Sequence, residues 1–273
     1  MVKPTKTVLF ADVLGFSGLA SAPRAEGATD ALSDLAHLLS SSDELVTLLG
    51  SASSPWTERY GLSDSIFLVS EEPIRACKAA AEFFFNLAYV NHQARNPVLL
   101  RGAISIGEAL QVQGIFPESS KANLVGEAVV RAVKLEEEGP KGPKLLLTQE
   151  AARAWEESSE TPSWLLSRNE RGQAELLWLL PPDPSMANGL QIGEVCRTAF
   201  RLAREHGTKT FGYHYIGYLD LVARSLQRLR SARPEEAVTA IQVSALTDEV
   251  SSLEPLLLTP EAILLDRFRS LAR

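Results

Sequence analysis

Cysteine is scarce. The 273 residues hold two, Cys77 and Cys196, each alone in an apolar setting. Neither a disulfide framework nor a paired zinc spacing can be built from them, and they read as buried thiols of a reducing compartment. The four histidines, His37, His92, His206 and His214, are scattered without metal-ligand spacing. No apolar run approaches the ~18 residues that a membrane span needs. Net positive charge is absent as well: 27 Lys and Arg stand against 34 Asp and Glu, a formal charge of -7. That balance excludes broad binding to nucleic acid or anionic membranes, though a local basic pocket stays compatible with it. Met1-Val2-Lys3-Pro4 leads straight into an apolar run with no signal-like segment. The expectation is a soluble cytoplasmic protein with no nucleic-acid or membrane partner.

What is present begins with Val8 to Ser17. An apolar, β-prone run delivers one carboxylate, Asp12, to its exit, and Gly15 and Phe16 follow. A carboxylate at the end of a buried strand can hold a cation, and the amides of the next turn can hold an anion beside it. Lys6 to Ala11 is therefore predicted as a central strand covered on both faces. A helix is expected over 29–49 from its leucine spacing. Glu58 to Gly61 and Ser65 to Ser70 read as strands of a tight hairpin with Asp64 near its tip. Pro73 opens a helix ending near Asn91. Val98 to Ile106 and Ala109 to Gln113 read as strands joined at Gly107, and 114–123 as loop. A helix follows over 128–138, then a strand over 144–147. Thr148 is the expected N-cap of a helix through Trp155, and 174–180 is the last strand.

Pro181-Pro182-Asp183-Pro184 reads as a boundary. It separates a domain over 1–182 from a helical region over 189–273, with helices predicted over 189–205, 213–230, 234–252 and 260–271. The order of elements before the boundary predicts an α/β (α+β) fold, with helices on a mixed sheet and an all-helical C-terminal extension. In a βαββ arrangement the first strand pairs beside the hairpin, so Asp12 and Asp64 would face each other across neighbouring strands. Two hard oxygen donors there suit magnesium or manganese, with the Val13 carbonyl as a further ligand. Taken singly, Asp12 also reads as a helix cap and Asp64 as a turn former.

Four segments resemble motifs of the class III nucleotidyl cyclases, in the family's order. They are Phe10-Ala11-Asp12-Val13-Leu14-Gly15-Phe16-Ser17, Tyr60-Gly61-Leu62-Ser63-Asp64-Ser65, Arg101-Gly102-Ala103-Ile104-Ser105-Ile106-Gly107-Glu108, and the helix motif from Val125 to Glu136. The resemblance implies a βαββαβ ferredoxin-like catalytic domain. It implies two Mn²⁺ (or Mg²⁺) ions per site on Asp12, Asp64 and Val13. It also implies a homodimer in which one protomer supplies the metal pair and its partner the helix motif. Leu14, Gly15 and Phe16 would cradle the triphosphate.

The departures from the family pattern carry information. Tyr60 stands where purine cyclases usually carry a base-reading Lys or Glu, and Asn123 stands at the second base-reading position. A Tyr narrows the pocket toward a one-ring base, and an Asn can serve uracil or, flipped, cytosine. Tyr60 also reads as a core aromatic of its strand. The pattern resembles the bacterial pyrimidine cyclases of the Pycsar antiphage system, which implies UTP, or else CTP, as substrate. In the helix motif Val130 and Lys134 stand where an Asn and an Arg are usual. Lys134, with Arg131 one turn away, would supply the transition-state charge; both also read as an exposed, ion-paired helix face. Lys144, Arg168 and Arg171 are candidates for a γ-phosphate contact. An aromatic cluster at 208–215 reads as a helix seam.

Overall fold

The computed structural model describes residues 5–14, 33, 54–62, 64–90, 92–94, 97–112, 123–169, 171–183, 187–207, 212–253 and 262–272. The helix expected over 29–49 lies outside them except for Ser33, and so do Gly15, Phe16 and the start of the 208–215 cluster.

The first strand, β1 (Thr5–Val13), is buried along most of its length. Its apolar run has no polar face to give to water, so it takes a central position. It pairs antiparallel with β3 (Ser65–Ser70) on one side and β4 (Leu100–Glu108) on the other. β2 (Glu58–Leu62) pairs antiparallel with β3, Leu62 opposite Ser65, which leaves a two-residue turn carrying Asp64. β7 (Leu145–Leu147), β9 (Ala174–Leu176) and β8 (Leu166–Arg168) extend the sheet, giving the order β2-β3-β1-β4-β7-β9-β8. With β3 between β1 and β2, the first four strands form the ferredoxin-like split βαβ arrangement.

The two faces of β1 follow its period of two. Leu9, Ala11 and Val13 enter the main core with α1 (Pro73–Val90), whose Phe83, Phe84 and Phe85 are all buried. Val8 packs on the other face with Val69, Ala109 and Ala128 of α2 (Glu127–Glu138). Ala128 and Ala132 are fully buried, so a small-residue stripe lets α2 lie close on the sheet. Gly126 precedes α2 at φ 136, where an added Cβ would stand 2.3 Å from the Glu108 carbonyl oxygen, so both conformation and space require glycine.

Several expectations change here. Asn123 is not in a loop: β6 (Asn123–Val125) pairs antiparallel with β5 (Leu110–Val112) in a separate ribbon, Leu110 opposite Val125, and the pairing supplies backbone partners that hold so short a segment extended. The strand expected over 174–180 stops at Leu176, and Leu177 to Leu180 turn into the core fully buried. Its edge partner β8 was not predicted. Thr148 precedes α3 (Gln149–Glu157) as expected, but its side chain makes no capping hydrogen bond.

The C-terminal helices are α4 (Gly189–His206), α5 (Gly212–Ala232), α6 (Pro234–Val243), α7 (Leu246–Leu253) and α8 (Ala262–Leu271). The single helix expected over 234–252 is two, broken at Ala245 with φ 54. These helices share one buried core with the sheet. Trp178 joins the two parts: its ring lies 5.9 Å from Phe84 and 6.1 Å from Tyr218, and its Nε1 donates to the Pro143 carbonyl at 2.6 Å. Beside it, Lys144 donates to Asp220 at 2.9 Å, and Arg224 Nη2 donates to both oxygens of the fully buried Glu175 at 2.8 and 3.0 Å.

Candidate active site

Asp12 sits at the exit of β1, opposite Ser65 on one side and Arg101 on the other. Ser65 Oγ donates to Asp12 Oδ1 at 2.9 Å, and Arg101 Nη2 lies 3.6 Å from Oδ2. Asp64 follows at the hairpin turn, and its carbonyl accepts from the Val13 amide at 3.1 Å. The topology therefore brings Asp12, Val13 and Asp64 to one end of the β1–β3 pair. Burial is the main force raising the Asp12 carboxyl above its ordinary value. The Ser65 hydrogen bond opposes this, the Asp64 charge adds to it, and Arg101 opposes it again.

That balance describes a donor set short of positive charge. Two hard carboxylate oxygens, one destabilised by burial and by the other's charge, fit a divalent cation. Among the described residues, no group of three or more His, Cys, Asp or Glu forms a ready-made metal cage. Two carboxylates and a backbone carbonyl suit an ion that keeps its other positions for water or phosphate, as magnesium does.

Two residues of this site escaped the sequence reading. Arg101 reaches Asp12 with one end of its guanidinium and Glu136 of α2 with its Nε. Glu136 reads in sequence as one of three exposed acids at a helix end, yet its side chain is 3% exposed. Burial pushes its carboxyl up to about 7, with Arg101 opposing and Asp12 adding. The available signal was its spacing of four from Ala132 and eight from Ala128, the buried stripe of α2.

The expected phosphate cradle is corrected at Leu14. Its amide already donates to the Leu99 carbonyl at 2.9 Å and is not free for a phosphate. Gly15 and Phe16 lie outside the described residues. Arg131 contacts Glu127, and its Nη1 lies 2.8 Å from Glu150, so it takes the ion-paired helix-face role. Lys134 is exposed, and Val130 is 52% exposed. Both lie two positions from the buried Ala128–Ala132–Glu136 stripe, so they face away from their own sheet.

Tyr60 is half-buried against the Val8–Val69–Ala128 cluster. Its hydroxyl donates to Glu58 Oε2 at 2.5 Å, while Lys6 donates to Glu58 Oε1 at 3.4 Å. Burial first, then the Glu58 carboxylate, pushes the phenol up to about 12. Leu124 packs on the same cluster, so its neighbour Asn123, which is exposed, points off the opposite side of the ribbon. The fold does not bring Tyr60 and Asn123 together within one chain. Lys144, Arg168 and Arg171 gather at a different cavity, against α5 and α8. No helix of the described residues is long and apolar enough to cross a membrane.

A split βαβ sheet with paired carboxylates at the exit of its central strand defines this α/β chain. No protein-family model matches it, and no curated protein does. Among solved structures it is similar to the adenylyl cyclase CyaB from P. aeruginosa, at 16% identity and TM-score 0.47, over 63% of this chain and 92% of that one. It is similar to the guanylyl cyclase domain of the RhoGC fusion protein from Blastocladiella emersonii, at 16% and 0.46, over 63% and 93%. A bacterial light-regulated adenylyl cyclase shares 14% identity at 0.46, over 71% and 97%. At these values the likeness assigns neither substrate nor reaction.

Proposed function

We propose that this chain is a nucleotidyl cyclase that converts a pyrimidine nucleoside triphosphate, UTP before CTP, to the 3′,5′-cyclic monophosphate and pyrophosphate. The observation that carries the reading is the Asp12–Asp64 pair at the exit of β1, joined by the Val13–Asp64 backbone hydrogen bond of 3.1 Å. Asp12, Asp64 and the Val13 carbonyl would hold Mn²⁺ or Mg²⁺, two ions per site. Bound there, the ions supply acidification of the ribose 3′-hydroxyl and neutralisation of phosphate charge. The 3′-oxygen loses its proton to solvent and attacks the α-phosphorus in line; the bond to the β-phosphate oxygen breaks and pyrophosphate leaves. Arg101, steadied by Glu136, keeps a guanidinium beside the carboxylates where that charge develops.

Lys134 faces away from its own sheet, so it would serve the site of a second copy. The reading therefore includes a homodimer with sites at the interface. The exposed apolar face made by Leu110, Val112, Val125 and Val130 supports it. Uracil is favoured by the state of Tyr60. Its hydroxyl spends its proton on Glu58 and offers lone pairs, which accept from uracil N3–H, whereas cytosine N3 has no proton to give. Asn123 would read the remaining edge. The role that follows is synthesis of a cyclic pyrimidine nucleotide as a signal in antiphage defence.

Incubation with each of the four ribonucleoside triphosphates and Mn²⁺, with products read by mass, tests the proposal. Cyclic UMP is the expected product, and Asp12→Ala and Asp64→Ala remove it. Cyclisation of ATP or GTP alone overturns the reading of Tyr60. Turnover surviving in both Asp variants overturns the metal pair. The second reading is a non-catalytic nucleotide-binding module, favoured by the apolar, exposed Val130 and the ion-paired Arg131; binding without turnover of any of the four would select it.

A further inference from the structure

A cavity of about 400 Å³ lies where the sheet meets the C-terminal helices. Its walls are the 140–144 loop after α2, the β8–β9 hairpin, α5 and α8. Six cations line it: Lys141, Lys144, Arg168, Arg171, Arg224 and Arg267. Two carboxylates, Glu175 and Asp220, line it as well. For a chain whose net charge is -7, this is a concentrated reversal of sign.

The arrangement is built in two tiers. At the floor, Lys144 and Arg224 offset Glu175 and Asp220, through contacts of 2.9 Å from Lys144 to Asp220 and 2.8 Å from Arg224 to Glu175. Burial by itself would raise the Asp220 carboxyl, but Lys144 and Arg224 outweigh it and hold it below the ordinary range. The floor acids are thus already matched. The charge of the second tier is the surplus. Lys141 is exposed at the mouth, and Arg267 spends one nitrogen on Asp220 at 3.1 Å. Arg168 reaches Glu156, outside the cavity, at 3.0 Å. Arg171 donates one N–H to the Glu138 carbonyl at 2.7 Å, which pins its guanidinium, a group of five donors, at the end of α2. Guanidinium forks around a cavity of this size match the oxygens of a phosphate group, and the volume falls in the range of small-molecule sites.

We propose that this cavity binds a small phosphorylated anion of nucleotide size or less. Because its walls include the loop that ends α2 and two C-terminal helices, a bound anion would tie those elements together. The inference does not need the cyclase reading: Asp220, Arg224 and Arg267 line this cavity and are not among the residues placed at the Asp12–Asp64 site.

The test is calorimetric titration of the full chain with inorganic phosphate, pyrophosphate and UMP, in EDTA and at low salt, so that metal-dependent phosphate binding is silent. The three probes separate a bare phosphate from a nucleotide as the source of the anion. Wild type, Asp64→Ala, and the rim variants Lys141→Ala and Arg267→Ala are compared. Lys141 is exposed and Arg267 partly so, and Asp220 keeps Lys144 and Arg224 when Arg267 is removed, so each variant is expected to fold, as its circular dichroism would check. Saturable binding of at least one probe is expected, unchanged in Asp64→Ala and weakened about tenfold or more in each rim variant, the scale of one charge-assisted hydrogen bond. The bound probe also raises the melting temperature of wild type, and less so that of the rim variants. Absence of saturable binding by all three probes overturns the proposal. So does binding that Asp64→Ala abolishes and the rim variants keep.

Discussion

Replacing Gly217 by Ala sets two physical effects against each other with opposite sign. Gly217 lies within α5, where Ala is favoured over Gly by about 1 kcal/mol in an exposed helix interior. Helix propensity alone therefore predicts a more stable protein. Packing predicts the reverse. A Cβ at Gly217 would stand 2.0 Å from the Lys141 carbonyl oxygen, 2.7 Å from its carbon and 3.1 Å from Gly142 Cα. The approach is reciprocal, since a Cβ at Gly142 would meet the Gly217 carbonyl carbon at 2.8 Å. These are backbone atoms with no rotamer to yield, and the separation lies far inside van der Waals contact. Relief requires α5 to withdraw from the 140–144 loop by roughly 1 Å. That movement stretches the Lys144–Asp220 contact of 2.9 Å and the Arg224–Glu175 contact of 2.8 Å. Overpacking of this kind costs about 1–3 kcal/mol and sometimes more. Set against the propensity gain, and with loosened ion pairs added, the expected net loss is about 2 kcal/mol. For a chain of this size that lowers the melting temperature by roughly 4–8 °C. Urea denaturation followed by circular dichroism reads the loss directly. A variant as stable as wild type, or more stable, refutes the close packing of α5 on the loop.

Other perturbations follow from the same contacts. Arg224→Leu removes the nearer of the two cations from the fully buried Glu175, leaving Lys144 at 3.6 Å; a loss of about 3 kcal/mol in denaturant melts is expected. Burial pushes the Cys77 and Cys196 thiols up to about 12. Neither should react with iodoacetamide at pH 8 in the native state, and both should after unfolding, as counted by mass spectrometry. Burial, then the charges of Arg101 and Lys141, lowers the His214 imidazole to about 4. The unfolded chain then binds more protons than the folded one below the ordinary histidine range. Stability is full above about pH 6.5 and falls toward pH 4, by at most about 3 kcal/mol before solvent screening of this half-buried group. His214→Phe should flatten that acid limb in melts taken between pH 7 and pH 4.

Local chemistry was legible wherever one stretch carried its own signal. The apolar run of β1, the two-residue turn at Asp64, Pro73 at the head of α1 and the leucine-rich C-terminal helices all appear near the predicted positions, because periodicity and turn residues act within a few positions of themselves. Pairing was less legible. β6 and β8 are three residues each and owe their strand form to partners supplied by the fold. The break at Ala245 was hidden because nothing in Ser244-Ala245 opposes a helix locally.

Within the candidate site the same division holds. That Asp12 leaves a central strand and Asp64 sits at the tip of the neighbouring hairpin was legible from the chain, since these placements follow from an unbroken apolar run and from a turn. What surrounds them came from folding. It drew Glu136 out of an acidic run into the core beside Arg101 and spent the Leu14 amide on Leu99. It also turned Lys134 away from its own sheet and gathered six cations at the junction with the C-terminal helices. A carboxylate in a sequence has a charge and a spacing. Its burial, its partner and the direction it faces come from elements far away in the chain, and only folding brings those together.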